Sequence, residues 1–571
     1  MLIRINMSTK EVVKEILPEK YFFLGGRGLT SRLLLDEVDP SCEVLGPQNK
    51  LVIAPGLLGG TAAPCSGRIS IGAKSPLTGG IKESNGGGIA ARKLAKLGIR
   101  ALVIEGQPQE DNFFLLKVTN DGVEILPADE LEGLGNYETV KILLGKYGDK
   151  NGIISIGPAG ERGYSTASVA ITDMEGIPCR HCGRGGMGAV MGSKKIKAIV
   201  IDDSNTTNIT YKDEKTFKEV SREWARELVV TRKTLTDYGT AGNLSLINTL
   251  GCLPTRNFSC GVFEDAEKLC GEKLREIIQT RNGKASHACQ QGCVIRCSNI
   301  YTDADGKVVT SSLEYETIAL LGSNCGISDI DFIAKLDRFC DDFGIDTMEL
   351  GATIGVMMEA GVLNFGDQKK MMSLIDEMKN DTLIGKMMGQ GATLTGKVLG
   401  IRRIPAVKGQ SLAAYDPRGL KSTGVTYATS TMGGDHTAGN CLPGRLGYRP
   451  KTKDQEFIKT KEGIVELSKD VQIMTTLCDI CGFCFFVGPT PDTVDRVAKL
   501  VNARWGTTIT FDDLIELSKQ VINTEVEFNE RAGLPQTLNG LPEFFYTEKL
   551  SPQNYIFDIS KTKLKNIFKN D

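Results

Sequence analysis

The chain has 571 residues, 41% of them hydrophobic and 24% charged, with a formal net charge of -2. That length allows about three or four domains with ample core, and the near balance of charge, with no long basic run, leaves no electrostatic footprint for nucleic acid or an anionic membrane. The 16 cysteines come without a signal-peptide pattern, which argues against a secreted disulfide scaffold. With no long apolar run for membrane insertion, the chain reads as a soluble cytoplasmic protein.

The opening MLIRINMSTKEVVKEIL places charges inside any would-be apolar stretch. Beyond it, short apolar runs alternate with glycine-rich turns: LVIAPG, ALVIEG, FFLLKV, GIISIG, ASVAIT and KAIVID. Such runs predict a first part, about 200 residues long, built mainly of strands. After the polar stretch DDSNTTN (202–208) the pattern becomes helical, as in DEKTFKEVSREWARELVV, IDFIAKLDRFCDDFG and TMELGATIGVMMEAGVL. This change predicts a domain boundary near residue 204. A second boundary is read from Pro/Gly punctuation in PAVKGQSL (405–412). The expected division is 1–203, 204–405 and 406–571, and no tandem repeat of about 20–50 residues is visible.

Two of the densest glycine stretches fall in the strand-rich part, SGRISIGAKSPLTGGIKESNGGG (66–88) and GRGGMGAVMGSKKIKAI (183–199). Glycine lets backbone approach a ligand, and successive N–H groups in such turns bind anionic oxygens, so both suit phosphate or cofactor contact. The second also fits G-x-G-x-x-G at Gly183, Gly185 and Gly188, with Asp202 ending a later strand. A dinucleotide site would need a buried strand before it and a helix after it. DMEGIPCRHC does not read as such a strand, and the seven residues between Gly188 and IKAIVID are few for the usual helix.

Farther along, HACQQGCVIRCSN sets Cys289, Cys293 and Cys297 at C-x3-C-x3-C, answered by CDICGFC with Cys478, Cys481 and Cys484. Three thiolates from one segment and a fourth from a distant one suit a 4Fe-4S cluster, which needs ligands converging from different directions. Structural zinc and plain core cysteines are the alternatives. Cys42, Cys65, Cys252, Cys260, Cys270 and Cys441 are scattered singly and read as free structural thiols.

Six segments taken together carry a family resemblance. They are GGRGL (25–29), GRGGMGAVMGSKKIKAI (183–199), EYETIALLGSNCGI (314–327), DDFGIDT (341–347), AYDPRGLKSTGVTYATSTMGGDH (414–436) and CDICGFCFF (478–486). In order and combination the chain resembles the aldehyde:ferredoxin oxidoreductase family, whose members hold tungsten, or sometimes molybdenum, between two pyranopterins beside a 4Fe-4S cluster. The resemblance implies an α+β fold, with an N-terminal β-rich pterin-binding domain followed by two mainly helical domains. It implies oxidation of an aldehyde to a carboxylic acid, with electrons leaving through the cluster to ferredoxin or a ferredoxin-like subunit.

The resemblance also implies site residues. The cluster ligands would be Cys289, Cys293, Cys297 and Cys484, leaving Cys478 and Cys481 as spare thiols. The two pterin motifs would be DDFGI, with Asp341 and Ile345, and DICGF, with Asp479 and Phe483; DPRGL at Asp416 is an extra match to the same loose pattern. Arg68, Asn85, Gly87, Arg184 and Gly185 would contact the pterins and their phosphates, and a magnesium ion would bridge the phosphates. Arginine suits that role because its planar fork donates two parallel hydrogen bonds. His436 and Glu316 would be the active-site pair, with Glu314 as the alternative register, and Cys325 either a soft metal ligand or a buried structural thiol. The spacing C-x3-C-x3-C departs from the C-x2-C-x3-C of the better-known aldehyde enzymes and is closer to branches that act in larger complexes, some on aromatic thioesters. No E-x-x-H is present to support a dimer built on a shared metal. Besides a stand-alone oxidase or homodimer, the open alternatives are a catalytic subunit of a multi-subunit low-potential reductase and a metal-bearing scaffold without pterin.

Overall fold

The computed structural model describes residues 1–206, 209–442, 461–565 and 567–568; the last two residues of DDSNTTN thus lie outside it. The strand-rich part forms two six-stranded sheets. In the first, β1 (Leu2–Asn6), β2 (Glu11–Glu15), β3 (Leu51–Pro55), β4 (Ile69–Lys74), β5 (Ile81–Gly86) and β6 (Ala101–Glu105) lie in the order β2-β1-β6-β3-β4-β5. Only β1 and β6 pair in parallel. In the second, β7 (Phe114–Val118), β8 (Val123–Pro127), β9 (Gly152–Ser155), β10 (Val169–Ile171), β11 (Arg180–Cys182) and β12 (Ile196–Ile201) take the order β8-β7-β12-β9-β10-β11. Again only the first and last strands, β7 and β12, are parallel.

The two sheets therefore share one topology. Helices recur at matching places: Gly26–Glu37 and Asn136–Tyr147 after the second strand, Ala90–Lys96 and Met187–Ser193 after the fifth. Inner faces from both sheets, including Ile53, Ile71, Leu116, Ile154, Val169 and Ile199, merge into one core. The edge strands β5 and β11 approach so closely that a Cβ on Gly86 would fall 2.9 Å from Cys182 Sγ. Both glycine-rich stretches thus meet at one place, each in the turn from an edge strand into a short helix.

The dinucleotide expectation needs correcting on two points. A short strand, β11, precedes G-x-G-x-x-G, and a seven-residue helix, Met187–Ser193, follows it. The unit is still not a dinucleotide fold. β11 is an edge strand antiparallel to β10, and two strands separate it from β12, so no parallel crossover is formed.

The remainder is mainly helical. Among the described residues no helix is long and apolar enough to cross a membrane. One apolar core joins Leu244, Ile318, Leu336 and Ile354 to Tyr427, Phe545 and Phe557. A second joins the Gly26–Glu37 helix to the helices Lys461–Cys481, Pro491–Trp505 and Phe511–Arg531. This is where GGRGL acts: a Cβ on Gly26 would fall 2.1 Å from the carbonyl oxygen of Asp479, and one on Gly56 would fall 2.2 Å from Gly482. Glycine is required because two backbones touch. The segments are then joined by N–H donation from Leu57 to Ile480 O (2.9 Å), from Leu58 to Cys481 O (3.1 Å) and from Arg68 to Gly482 O (3.1 Å).

Candidate active site

Both D-x-x-G motifs are helix C-termini. The Ile330–Phe343 helix carries Asp341 in its last turn and is closed by Gly344 at φ 77°. The Lys461–Cys481 helix carries Asp479 in its last turn and is followed by Gly482 at φ 82°. A left-handed residue after the last turn is the common way to end a helix, and glycine adopts it without strain. The loose pattern thus has a physical basis at Asp341 and Asp479 that Asp416 lacks: Asp416 is fully buried and paired with Arg418 at 2.6 Å.

Both helix ends open on one cavity of about 660 Å³. Its wall carries Arg68, Asn85, Gly87 and Arg184 from the two sheets, and Cys289, Cys297 and Cys484 from the cysteine segments. Glu314, Glu316, Asp341, Ile345, His436 and Asp479 line it too, as expected. Three expected residues do not line it. Gly185, at φ 81°, turns the chain beside Lys82. Phe483 packs behind the wall, its ring 4.9 Å from Trp224. Cys293 is half-buried and its thiol lies against Cys289. Cys325 also lies away from the cavity, its Sγ donating to Leu320 O (3.3 Å), which is the structural role.

Of the two glutamates, Glu316 faces the histidine: His436 Nε2 is 3.2 Å from Glu316 Oε1. Glu316 Oε2 accepts the Ala414 N–H at 2.7 Å. Oε1, although near Nε2, and His436 Nδ1 are both buried without a hydrogen-bond partner. Burial pushes the Glu316 carboxyl up, against the opposing pull of His436 and the Ala414 N–H. Glu314 is instead tied to Thr240 Oγ1 and to Ser312 Oγ (2.6 Å). Lys82, 1% exposed, donates to Asp435 Oδ2 at 2.7 Å and so fixes the residue before His436. Although burial opposes ionisation, Lys82 and Arg184 hold Asp435 well below the usual carboxylate range.

The donors present fit the implied groups. Gly183 lines the cavity, and a Cβ there would meet nothing within 4 Å, so the floor is open to a large flat ligand. Arg68 donates to the side chain of Asn85 and, from Nη2, to its carbonyl (2.9 Å). Arg184 is more fully used, donating to Asp346 Oδ2 (3.2 Å), Gly434 O (2.9 Å) and Ser411 O (2.7 Å). Burial pushes the Cys297 and Cys484 thiols up, and contact with Cys293 followed by burial does so at Cys289. Gathered thiols whose ionisation is disfavoured in this way are suited to a cationic centre that stabilises thiolate. The two cysteine segments are bracketed by Cys65, whose N–H donates to Gly292 O (3.0 Å) and whose carbonyl accepts from Cys484 N (2.9 Å).

Several site residues had no role in the sequence reading. Arg27, inside GGRGL, lies 3.3 Å from Asp479 Oδ2 and is clamped by Glu525 through two 2.8 Å bonds. Burial and the neighbouring Glu83 carboxylate push Asp479 up. At the other motif, His181 Nε2 is 3.2 Å from Asp341 Oδ1, and Tyr137 OH is 3.4 Å from Oδ2. The available signals were that Arg27 sits between the glycines of GGRGL and that His181 is one of only three histidines.

Comparison with known proteins bears on the family. Residues 2–203 match the family model "Aldehyde ferredoxin oxidoreductase, N-terminal domain", and residues 215–566 match "Aldehyde ferredoxin oxidoreductase, domains 2 & 3". The tungsten-containing aldehyde ferredoxin oxidoreductase of Thermococcus kodakarensis is 35% identical over 96% of this chain and 91% of its own length. The aliphatic sulfonate oxidoreductase WOR-like subunit of Pyrococcus furiosus is 29% identical over 77% of this chain and 75% of its own. The solved active-site complex BamBC of benzoyl coenzyme A reductase matches in fold with a TM-score of 0.81 at 19% identity, over 95% of this chain and 90% of that one. On the family models and the 35% identity, the chain belongs to the aldehyde ferredoxin oxidoreductase family and is an oxidoreductase.

Proposed function

We propose that this protein is a tungsten- or molybdenum-dependent oxidoreductase that converts an aldehyde to a carboxylate. Its metal would be carried by two pyranopterins and accompanied by one 4Fe-4S cluster. The observation that carries the reading is the single cavity on which both D-x-x-G aspartates, three of the four expected cluster cysteines and the Glu316–His436 pair converge. Asp341 and Asp479 would accept from pterin N–H groups. Cys289, Cys293, Cys297 and Cys484 would hold the cluster, and Arg68, Asn85, Gly87, Arg184 and Gly185 would border the pterins and their magnesium-bridged phosphates.

The cofactors would supply two-electron oxidation and one-electron exit to ferredoxin or a similar carrier. Aldehyde plus water gives carboxylate, two electrons and three protons, so the protein must accept protons beside the reacting carbon. Glu316 is suited to that: its carboxyl is raised by burial, it is fixed through Oε2, and its Oε1 is unpartnered. His436, held between Asp435 and the Tyr415 ring (5.6 Å), can donate to the substrate oxygen.

The test is analysis of anaerobically purified protein for metal and pterin, followed by aldehyde oxidation with a viologen acceptor. About one tungsten or molybdenum, two pterins and four irons per chain, with aldehyde-dependent dye reduction, is the expected result. Zinc alone, or iron without pterin, would overturn it. A second reading, a catalytic subunit of a larger low-potential reductase, is supported by the subunit named in the Pyrococcus furiosus relative. Co-purifying iron-sulfur or flavin subunits, with no activity of the isolated chain on aldehydes, would favour that reading.

A further inference from the structure

Behind the cysteine segment lies a second set of metal-ligating groups that the proposed chemistry does not use. Strand β13 (Lys284–His287) ends at His287, two residues before Cys289. Its Nε2 faces two carboxylates from the turn after β10: Asp173 Oδ2 and Glu175 Oε2, each at 3.4 Å. The three ligand atoms all lie within 4.8 Å of one another. Cys179 Sγ, from the same turn, donates to Asp173 Oδ2 at 3.3 Å but lies outside this three-atom set and on the wall of the large cavity.

The set is built rather than incidental. Asp173 is 1% exposed and its other oxygen is fixed by the N–H groups of Glu175 and Ile177, both at 3.0 Å. His287 is 5% exposed, while Glu175 remains open to solvent and provides an entry side. Asp173, Glu175 and His287 do not line the large cavity. An opposing charge is Arg180, whose Nη2 is 3.9 Å from Asp173 Oδ2. Ser298 Oγ (2.8 Å) and Ser311 Oγ (3.3 Å) hold that guanidinium, and two carboxylates outweigh it.

We infer that Asp173, Glu175 and His287 form a site for a divalent cation of the zinc class. One imidazole nitrogen and two carboxylate oxygens, with the fourth position left to water, are donors that tetrahedral zinc accepts, whereas calcium and magnesium take oxygen ligands. A metal here ties the β10–β11 turn of the N-terminal part to the strand that leads into Cys289, Cys293 and Cys297. The metal-free account of the same geometry is the 3.4 Å hydrogen bond between His287 Nε2 and Asp173 Oδ2, with Glu175 beside it.

The two accounts differ in zinc content. Anaerobically purified wild-type chain and Glu175→Gln are each dialysed against Zn²⁺ and then against metal-free buffer. Zinc, iron, tungsten and molybdenum are counted in one digest. Glu175 is solvent-facing, so the variant keeps the fold and its iron, tungsten and molybdenum. Loss of an outer-shell partner alone weakens metal binding by about 10–100-fold, so loss of the ligand Glu175 should weaken Zn²⁺ by more than about 100-fold. The expected result is one more zinc per chain in wild type than in Glu175→Gln. Equal zinc in the two proteins, including none in either, would overturn the site. Zinc held by the cluster cysteines would appear equally in both, and failure of the tungsten–pterin reading would show only in the other metals.

Discussion

Glu316→Gln gives the most direct test of the proposed chemistry, because it removes the base and little else. The glutamine carbonyl can keep the 2.7 Å bond from Ala414 N, and its amide nitrogen takes the place of the unpartnered oxygen 3.2 Å from His436 Nε2. A positioned general base contributes about 10²–10⁴ in rate, so kcat should fall by that factor, or about 2.7–5.4 kcal/mol at ~1.36 kcal/mol per decade. KM for the aldehyde should change little. Because burial raises the Glu316 carboxyl, wild-type activity should fall on acidification at a pH above the ordinary carboxylate range, and the variant should lack that limb. Stability supplies the control. A carboxyl raised in the folded state binds its proton more tightly there, so it stabilises the protein at low pH and loses that contribution as pH rises through the folded value. Glu316→Gln should therefore be as stable as wild type near neutrality, or more so. Viologen-coupled assay across pH, with metals counted in each preparation, checks these points. A fully loaded variant within about threefold of wild type, or one keeping the acid limb, would refute the role of Glu316.

Cys484→Ser should lose most of its iron and the paramagnetic signal of the reduced cluster while keeping the circular dichroism of the folded chain. Arg27→Met leaves the fully buried Glu525 carboxylate without its cationic partner, with only the Ser31 and Thr431 hydroxyls still donating to it. It should cost about 3–5 kcal/mol in thermal or denaturant unfolding, and adding Glu525→Leu should recover most of that stability but not the pterin content. Asp337→Asn should flatten the pH dependence of stability above the ordinary carboxylate range. Burial and the Asp341 charge raise Asp337, so in wild type its stabilising contribution disappears as pH rises through the folded value. Asp341→Asn, by contrast, should lower pterin content, read by fluorescence of the oxidised pterin.

The change from strand to helical patterning near residue 204 was legible because each regime imposes its own period on apolar residues. The duplication of the two sheets was not. Its matching strands, such as LIRIN and FLLKV or ISIGAK and VAI, share burial rather than sequence. A buried strand asks only for apolar bulk, so topology can repeat where residues do not. At the site, sequence patterns brought forward the groups with rare chemistry, namely the cysteines, His436 and the D-x-x-G aspartates. They could not bring forward partners whose role depends on long-range packing. Arg27 and Glu525 are 498 positions apart, and Lys82 and Asp435 are 353 apart, yet each pair is in direct contact. The register between Glu314 and Glu316 was likewise open until the helix Tyr315–Leu321 set which of them faces His436.

The repeated sheets and the repeated helix-ending turns present two similar cradles, but the chain supports them unequally. Asp341 rests against His181, Tyr137 and Thr310, none of which carries a permanent charge. Asp479 rests against Arg27, whose charge is fixed and whose own position is locked by Glu525, Ser31 and Thr431 acting on one carboxylate. The difference matters because the second turn carries more than an aspartate: five residues after Asp479 it delivers Cys484 to the cysteine cluster. Movement of that turn shifts a cavity aspartate and a cysteine thiol together, whereas movement of the first turn shifts Asp341 and Ile345 but no cysteine of the two cysteine segments. A buried, multiply bonded ion pair at the second turn, and softer contacts at the first, is the distribution of rigidity that this coupling requires.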